Sequence, residues 1–75
     1  MYFIIKEIEK MIIVDLIKEL MYQQNKSVSD LVKETGLAYE IIERTVIRDI
    51  VPSPENAEKM LNCLGITLAE VLILY

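Results

Sequence analysis

A chain of 75 residues with a net charge of −4, no histidine and one cysteine makes a single small domain. These counts argue against a zinc site, an internal disulfide and an enzyme's catalytic groups. Although 53% of the residues are hydrophobic, charged residues interrupt the N-terminal apolar run. We therefore expect no membrane span, no signal peptide, no cofactor and no small-molecule substrate, and we predict a cytoplasmic protein. So much apolar surface in a short chain favours a homodimer or a tight protein partner.

The negative charge is unevenly distributed along the chain. Residues 1–26 contain four bases and four acids, whereas residues 27–75 contain four bases and eight acids, which accounts for the whole charge of −4. An acidic domain repels the phosphate backbone of nucleic acids at long range. A local basic patch can still suffice for DNA binding.

The first predicted helix contains "MIIVDLIKELMYQQNK" and carries an apolar stripe of Ile12, Ile13, Leu16, Ile17 and Leu20. Residues 1–10 form an N-terminal extension in which "MYFII" fits either a continuation of this helix or a short strand. Both "MYFII" and the C-terminal "VLILY" are too apolar for solvated tails. We expect at least one of them to pack on a second copy or on a partner.

The second predicted helix, "VSDLVKE", begins after Ser27, which forms a near capping box with Asp30. Leu31 and Val32 are expected to point inward. Gly36 then suits a left-handed turn, because glycine has no Cβ to clash. The third predicted helix follows and extends from about Tyr39 to Arg48.

The sequence signals that start and end the fourth helix and start the fifth lie close together. Ser53 can cap the fourth helix, "PENAEKMLNCL", and Pro54 fits its first position. Gly65 is expected to end this helix. Thr67 and Glu70 form a capping box for a fifth helix, "LAEVLILY". The predicted inward residues of the fourth helix are Ala57, Met60, Leu61 and Leu64.

The order of "SVSDLVKETGL", "IIER" and "PSPENAEKMLNCLGITLAEVL" resembles the Cro/C1-type (XRE family) helix-turn-helix domain. The resemblance covers residues from Leu16 to Leu72 without a gap. It implies an all-α fold: one compact, five-helix, lambda-repressor-like domain over residues 1–75, with the helix-turn-helix unit at 27–48. It also implies a phage- or bacterial-type regulator that binds operator DNA through the third helix, often as a dimer.

The departures from the family pattern fall where the family touches DNA. Val28 stands where members often have glutamine at the start of the second helix. The third helix usually begins with small polar or basic residues, and the loop after it is often basic or glycine-rich. Here the corresponding residues are Ala38, Tyr39, Glu40 and Ile41 in the helix, and Asp49, Ile50 and Val51 in the loop.

A helical wheel predicts which face of the third helix is buried. Ile42 and Val46, helped by Tyr39, form the predicted inward side, and Thr45 lies about 60° from Ile42, where the family usually has an aliphatic residue. Glu40 and Arg44 are four residues apart, so Glu40 can neutralise part of the positive charge. The predicted outward residues are Glu40, Ile41, Glu43, Arg44, Ile47 and Arg48.

This outward face has two possible uses besides being a solvated surface without a partner. For DNA binding, serines would contact the backbone, tyrosine a phosphate or a thymine methyl, glutamates the N4 amino group of cytosine, and arginines phosphates or guanine. The candidate DNA-binding residues are Ser27, Ser29, Tyr39, Glu40, Glu43, Arg44 and Arg48.

The alternative is an antirepressor or modulator that binds another regulatory protein, such as a repressor, instead of DNA. An apolar cluster rimmed by charge is typical of a protein interface. An acidic surface could also bind the basic surface of a repressor. The candidate interface residues are Tyr39, Ile41, Ile47, Ile50 and Val51.

Overall fold

The computed structural model describes the backbone of residues 2–70 and the side chains of residues 12–70. Helices α1 (Tyr2–Gln23), α2 (Val28–Thr35), α3 (Tyr39–Val46) and α4 (Pro54–Cys63) follow one another. A fifth helix, α5, begins at residue 68 and is described as far as residue 70. Residues 2–70 contain no strand, so the predicted all-α class is confirmed.

Helix α1 resolves the open question about the N-terminal extension, because residues 2–10 continue the helix and do not form a strand. Within the described residues, no helix is both long enough and apolar enough to cross a membrane. The side chains of "MYFII" and the whole of "VLILY" lie outside the described residues, and so does the prediction that one of these ends packs on a second copy or a partner.

The core lies where α1, α2, α3 and α4 meet. Ile17, Leu31, Ile42, Met60 and Leu61 are completely buried, and together they come from all four helices. The four inward residues predicted for α4 are all buried, as is Leu31 of α2. The core is therefore built from one face of each helix, as expected for amphipathic helices.

The buried face of α1 differs in part from the predicted stripe. Ile17 is buried as predicted, but Val14 and Met21 are also buried, and the other stripe residues are only half-buried. Apolar residues surround this part of α1 on several sides, so periodicity could not select the direction that faces the other helices.

Local hydrogen bonds set the helix starts that the sequence predicts. Ser27 Oγ accepts from the N–H of Asp30 at 3.2 Å, and Asp30 Oδ2 accepts from the N–H of Ser27 at 2.9 Å, which completes the capping box of α2. Ser53 caps α4, and Thr67 caps α5 in a second box. Gly36 ends α2 with a φ of 74°, a conformation that favours glycine.

The capping box of α2 predicts a pH dependence of stability. The N–H and hydroxyl of Ser27 hold the pKa of Asp30 below its ordinary value. A depressed carboxyl pKa stabilises the fold fully above the unfolded pKa, near 3.8, and this stabilisation is lost as the pH falls through the lower folded pKa. We expect Asp30→Ala to lower the Tm at pH 7 and this difference from wild type to shrink at about pH 3, as measured by circular dichroism. A difference that stays constant across this range would contradict the role of the charge.

A long-range clamp joins the end of α1 to α2 and α4. Lys26 Nζ donates to Glu34 Oε1 at 2.7 Å and to the carbonyl oxygen of Cys63 at 3.0 Å. Gln24 Nε2 donates to the carbonyl oxygen of Leu64 at 2.7 Å. Carbonyl groups at a helix C-terminus have no partner within the helix, and here the side chains after α1 supply one.

Candidate functional site

Helix α3 packs on the core through Ile42 and Thr45, and its other face is exposed. The prediction that Tyr39 helps to form the inward side was wrong, because Tyr39 is 52% exposed, whereas Thr45 is buried. Relative to the predicted wheel, the centre of the buried face is rotated by roughly 50° toward Thr45. Threonine is small enough to fit close to the other helices, and a polarity-based wheel does not reveal this.

The end of α3 also differs from the prediction. The helix ends at Val46, two residues earlier than Arg48, and Asp49 adopts a left-handed conformation with a φ of 57°. The N–H of Ile50 then donates to the carbonyl oxygen of Arg44 at 2.9 Å. The chain therefore turns sharply after α3, and Ile50 and Val51 lie in the loop that leads to α4.

The predicted apolar protein interface is not a single patch. Ile41 is half-buried: it packs against the core and also lines a shallow pocket with Ile50 and Val51. Tyr39 begins α3, about 12 Å along the helix axis from Ile47. The remaining exposed residues, Ile47, Ile50 and Val51, lie at and after the end of α3, and we refer to these three as the loop patch.

A polar groove follows the exposed face of α3 and contains five of the seven residues predicted to bind DNA. The fold brings them together because all five lie on, or just beyond, one helix. The lining residues are Tyr39, Glu40, Glu43, Arg44 and Arg48. The two predicted serines do not line the groove. The oxygen of Ser27 is used by the cap of α2, whereas Ser29 is exposed on α2.

The groove carries two acids and two bases, so its formal charge is zero. Glu43 Oε1 lies 3.7 Å from Nη2 of Arg48, so an ion pair that the sequence did not predict joins α3 to the turn after it. The predicted pair of Glu40 and Arg44 is not formed within 4.0 Å among the described side chains. An exposed pair at 3.7 Å is weak. Both arginines can therefore turn toward an anionic ligand at little cost.

A second, mostly apolar groove lies between α1 and the loop after α3. Val14 and Val51 line it together with three charged residues, Asp15, Lys18 and Asp49. Lys18 Nζ donates to Asp49 Oδ1 at 2.6 Å, and this hydrogen bond raises the pKa of Lys18. Sequence reasoning missed this groove, because residues 31 positions apart meet only in the folded chain.

No family model, curated protein or solved structure matches this chain. The resemblance to the XRE family therefore remains a prediction from the quoted sequence motifs. The fold and the two grooves are the observations on which a function can be proposed.

Proposed function

We propose that this protein is a phage- or bacterial-type helix-turn-helix transcriptional regulator that binds operator DNA through α3. The observation that carries the proposal is the arrangement of α2, the left-handed Gly36 and α3, with two arginines in the exposed groove of α3. Exposed arginines on a short helix after a tight turn suit the major groove of duplex DNA. Such a regulator would act in the cytoplasm.

Four of the five side chains that line the groove could contact DNA, whereas Glu43 pairs with Arg48. Arg44 and Arg48 can donate to phosphate oxygens or to guanine, and Glu40 can accept from the N4 amino group of cytosine. Tyr39, at the start of α3, can donate to a phosphate. Ser29 is the better backbone contact of the two serines, because Ser27 already accepts a hydrogen bond within the cap.

The charge of the groove predicts how this binding depends on salt. A protein that neutralises Z phosphates loses affinity with a slope of about −0.9Z in a plot of log K against log salt concentration. Two arginines on phosphates would give a slope of about −2. We expect measurable binding to a fluorescent random-sequence duplex at about 50 mM salt, with this shallow slope, in anisotropy titrations at several salt concentrations.

Failure to bind at about 50 mM salt, by a protein that circular dichroism shows to be folded, would contradict the proposal. Binding with a slope of about −6 or steeper would also contradict it, because so many phosphate contacts need bases outside the α3 groove.

A second candidate function is an antirepressor or modulator that binds a basic regulatory protein. One carboxylate favours it: Glu40 lies in the first turn of α3, where a DNA-binding surface would face phosphates. Tyr39 would be the apolar anchor at that end of α3, and the half-buried Ile41 would add to the pocket that it lines with Ile50 and Val51. A folded protein that fails to bind DNA would favour this function.

A further inference from the structure

Arg44 lines not only the polar groove of α3 but also a shallow pocket between α3 and the start of α4. We refer to this as the α3–α4 pocket; residues from Ile41 of α3 to Asn56 of α4 line it. We propose that it binds a small organic carboxylate with a short aliphatic chain, and that this ligand competes with DNA for Arg44. The competition rests on the proposed function, whereas the binding of the carboxylate does not.

The charge of the α3–α4 pocket favours an anion. Arg44 is the only charged residue among the described residues that line it, although the whole chain has a net charge of −4. Among the described side chains, Arg44 has no ion-pair partner within 4.0 Å. Ser53 and Asn56 bring the N-terminus of α4 to the same pocket, and with it the positive end of the helix dipole.

A buried hydroxyl is a second, independent observation that points to a polar ligand. Thr45 is 1% exposed and lines the pocket, and it forms none of the hydrogen bonds of the described side chains. Every fully enclosed side-chain N or O atom in that part of the chain has a partner, so Oγ1 of Thr45 must be open to the pocket. A buried hydroxyl without a partner costs free energy, and a carboxylate oxygen can accept its hydrogen bond.

The remaining walls of the pocket are apolar and set the size of the ligand. Ile41, Ile50, Val51 and Pro52 contribute these walls, and Ile50 is 49% exposed. The volume of the pocket is about 150 Å³. A cavity of this volume holds a molecule of about six non-hydrogen atoms, such as benzene. Butanoate has this size, and its chain would cover the apolar walls while its carboxylate meets the polar groups.

Arg44 couples the pocket to the polar groove, because its side chain lines both. A guanidinium that turns into the pocket to pair with a carboxylate turns away from the groove, and its charge is neutralised. A bound carboxylate would therefore weaken DNA binding, and bound DNA would weaken carboxylate binding by the same factor. Arg48 lines the groove but not the pocket, so it would keep its contact with DNA.

The first experiment is a titration with butanoate at constant ionic strength, followed by the NMR chemical shifts of the backbone amides. We expect saturable shifts centred on Thr45, Ile50 and Asn56, with a Kd on the order of 1 mM, because a ligand of so few atoms binds weakly. Butanamide has the same shape without the charge and should bind at least about tenfold more weakly. Acetate lacks most of the chain and should bind at least about threefold more weakly.

The second experiment uses three substitutions to separate the pocket from the general charge. Arg44→Gln should raise the Kd for butanoate at least about tenfold. Arg48→Gln removes the same charge one turn later, outside the pocket, and should change the Kd less than about twofold. Thr45→Val replaces the hydroxyl with a methyl group and should raise the Kd about threefold, with a Tm no lower than that of the wild type. Circular dichroism checks the fold of each variant.

The third experiment tests the competition by anisotropy titrations with duplex DNA. Addition of about 10 mM butanoate should raise the Kd for DNA at least about threefold relative to the same concentration of sodium chloride. Arg44→Gln should abolish this response, because the shared side chain is then missing.

The absence of saturable shifts up to about 20 mM butanoate would overturn the proposal, and so would equal affinity for butanoate and butanamide. Equal losses in Arg44→Gln and Arg48→Gln would overturn it as well, because binding would then follow the general charge. A Kd for DNA that butanoate leaves unchanged would overturn the competition for Arg44. If the folded chain does not bind DNA, the proposed function and the competition fail together, whereas the titration with butanoate still decides whether the pocket binds a carboxylate.

Discussion

Replacing Ile42 with alanine is expected to lower the free energy of unfolding by about 2–5 kcal/mol. Ile42 is completely buried, and it contributes the fully buried isoleucine of α3 to a core shared by four helices. A domain of this length has a total stability of roughly 4–11 kcal/mol. The substitution would therefore remove a large part of it, and the variant would be partly unfolded at room temperature if the wild type lies near the lower limit.

Ile47→Ala is the matched control for this substitution. It makes the same chemical change five residues later, at a side chain that is 64% exposed, and should change stability by no more than about 0.5 kcal/mol. Urea denaturation followed by circular dichroism measures both, at a protein concentration low enough that self-association does not contribute. Equal losses in the two variants would mean that the buried face of α3 has been assigned incorrectly.

Arg44→Ala is expected to weaken DNA binding by about 1–3 kcal/mol, which is roughly a 5- to 150-fold rise in Kd, if α3 reads DNA as proposed. Arg44 lines the polar groove and lies one turn after Glu40, toward the middle of the exposed face of α3. It can therefore reach either a phosphate or a guanine. Anisotropy titrations with one duplex at one salt concentration measure the change.

Lys59→Ala is the matched control for the charge. It also removes one positive charge, but Lys59 is exposed on α4 and does not line the α3 groove. We expect its Kd to rise less than about threefold, because only long-range attraction is lost. If both variants bind equally weakly, DNA contacts the protein through its general charge, and α3 is not the reading helix.

The starts of α2, α4 and α5 and the end of α2 could be predicted from the sequence because short-range interactions set them. Ser27 and Asp30 are three residues apart, and the capping box between them forms as predicted. Gly36 adopts the left-handed conformation because glycine has no Cβ to clash in it. Such signals depend little on the rest of the fold.

The rotation of each helix about its axis could not be predicted in the same way. Thr45 is buried and Tyr39 is exposed because of the direction from which α1, α2 and α4 approach α3. Apart from its apolar pattern, the sequence of α3 does not indicate the direction from which the other helices approach. The residues of the polar groove were predictable because they lie on, or just beyond, one helix, whereas the pair of Lys18 and Asp49 joins segments that only the fold brings together.

The clamp formed by Lys26 and Gln24 has a consequence for the cooperativity of unfolding. These side chains satisfy the carbonyl oxygens of Cys63 and Leu64 from 37 and 40 residues away, whereas the other helix caps act over three residues. The neighbouring N–H groups after α4 satisfy the carbonyl oxygens of Leu61 and Asn62, whereas those of Cys63 and Leu64 are satisfied from the end of α1. We therefore expect these two hydrogen bonds and the docking of α1 to be gained and lost together, so that the first and fourth helices unfold as one cooperative unit.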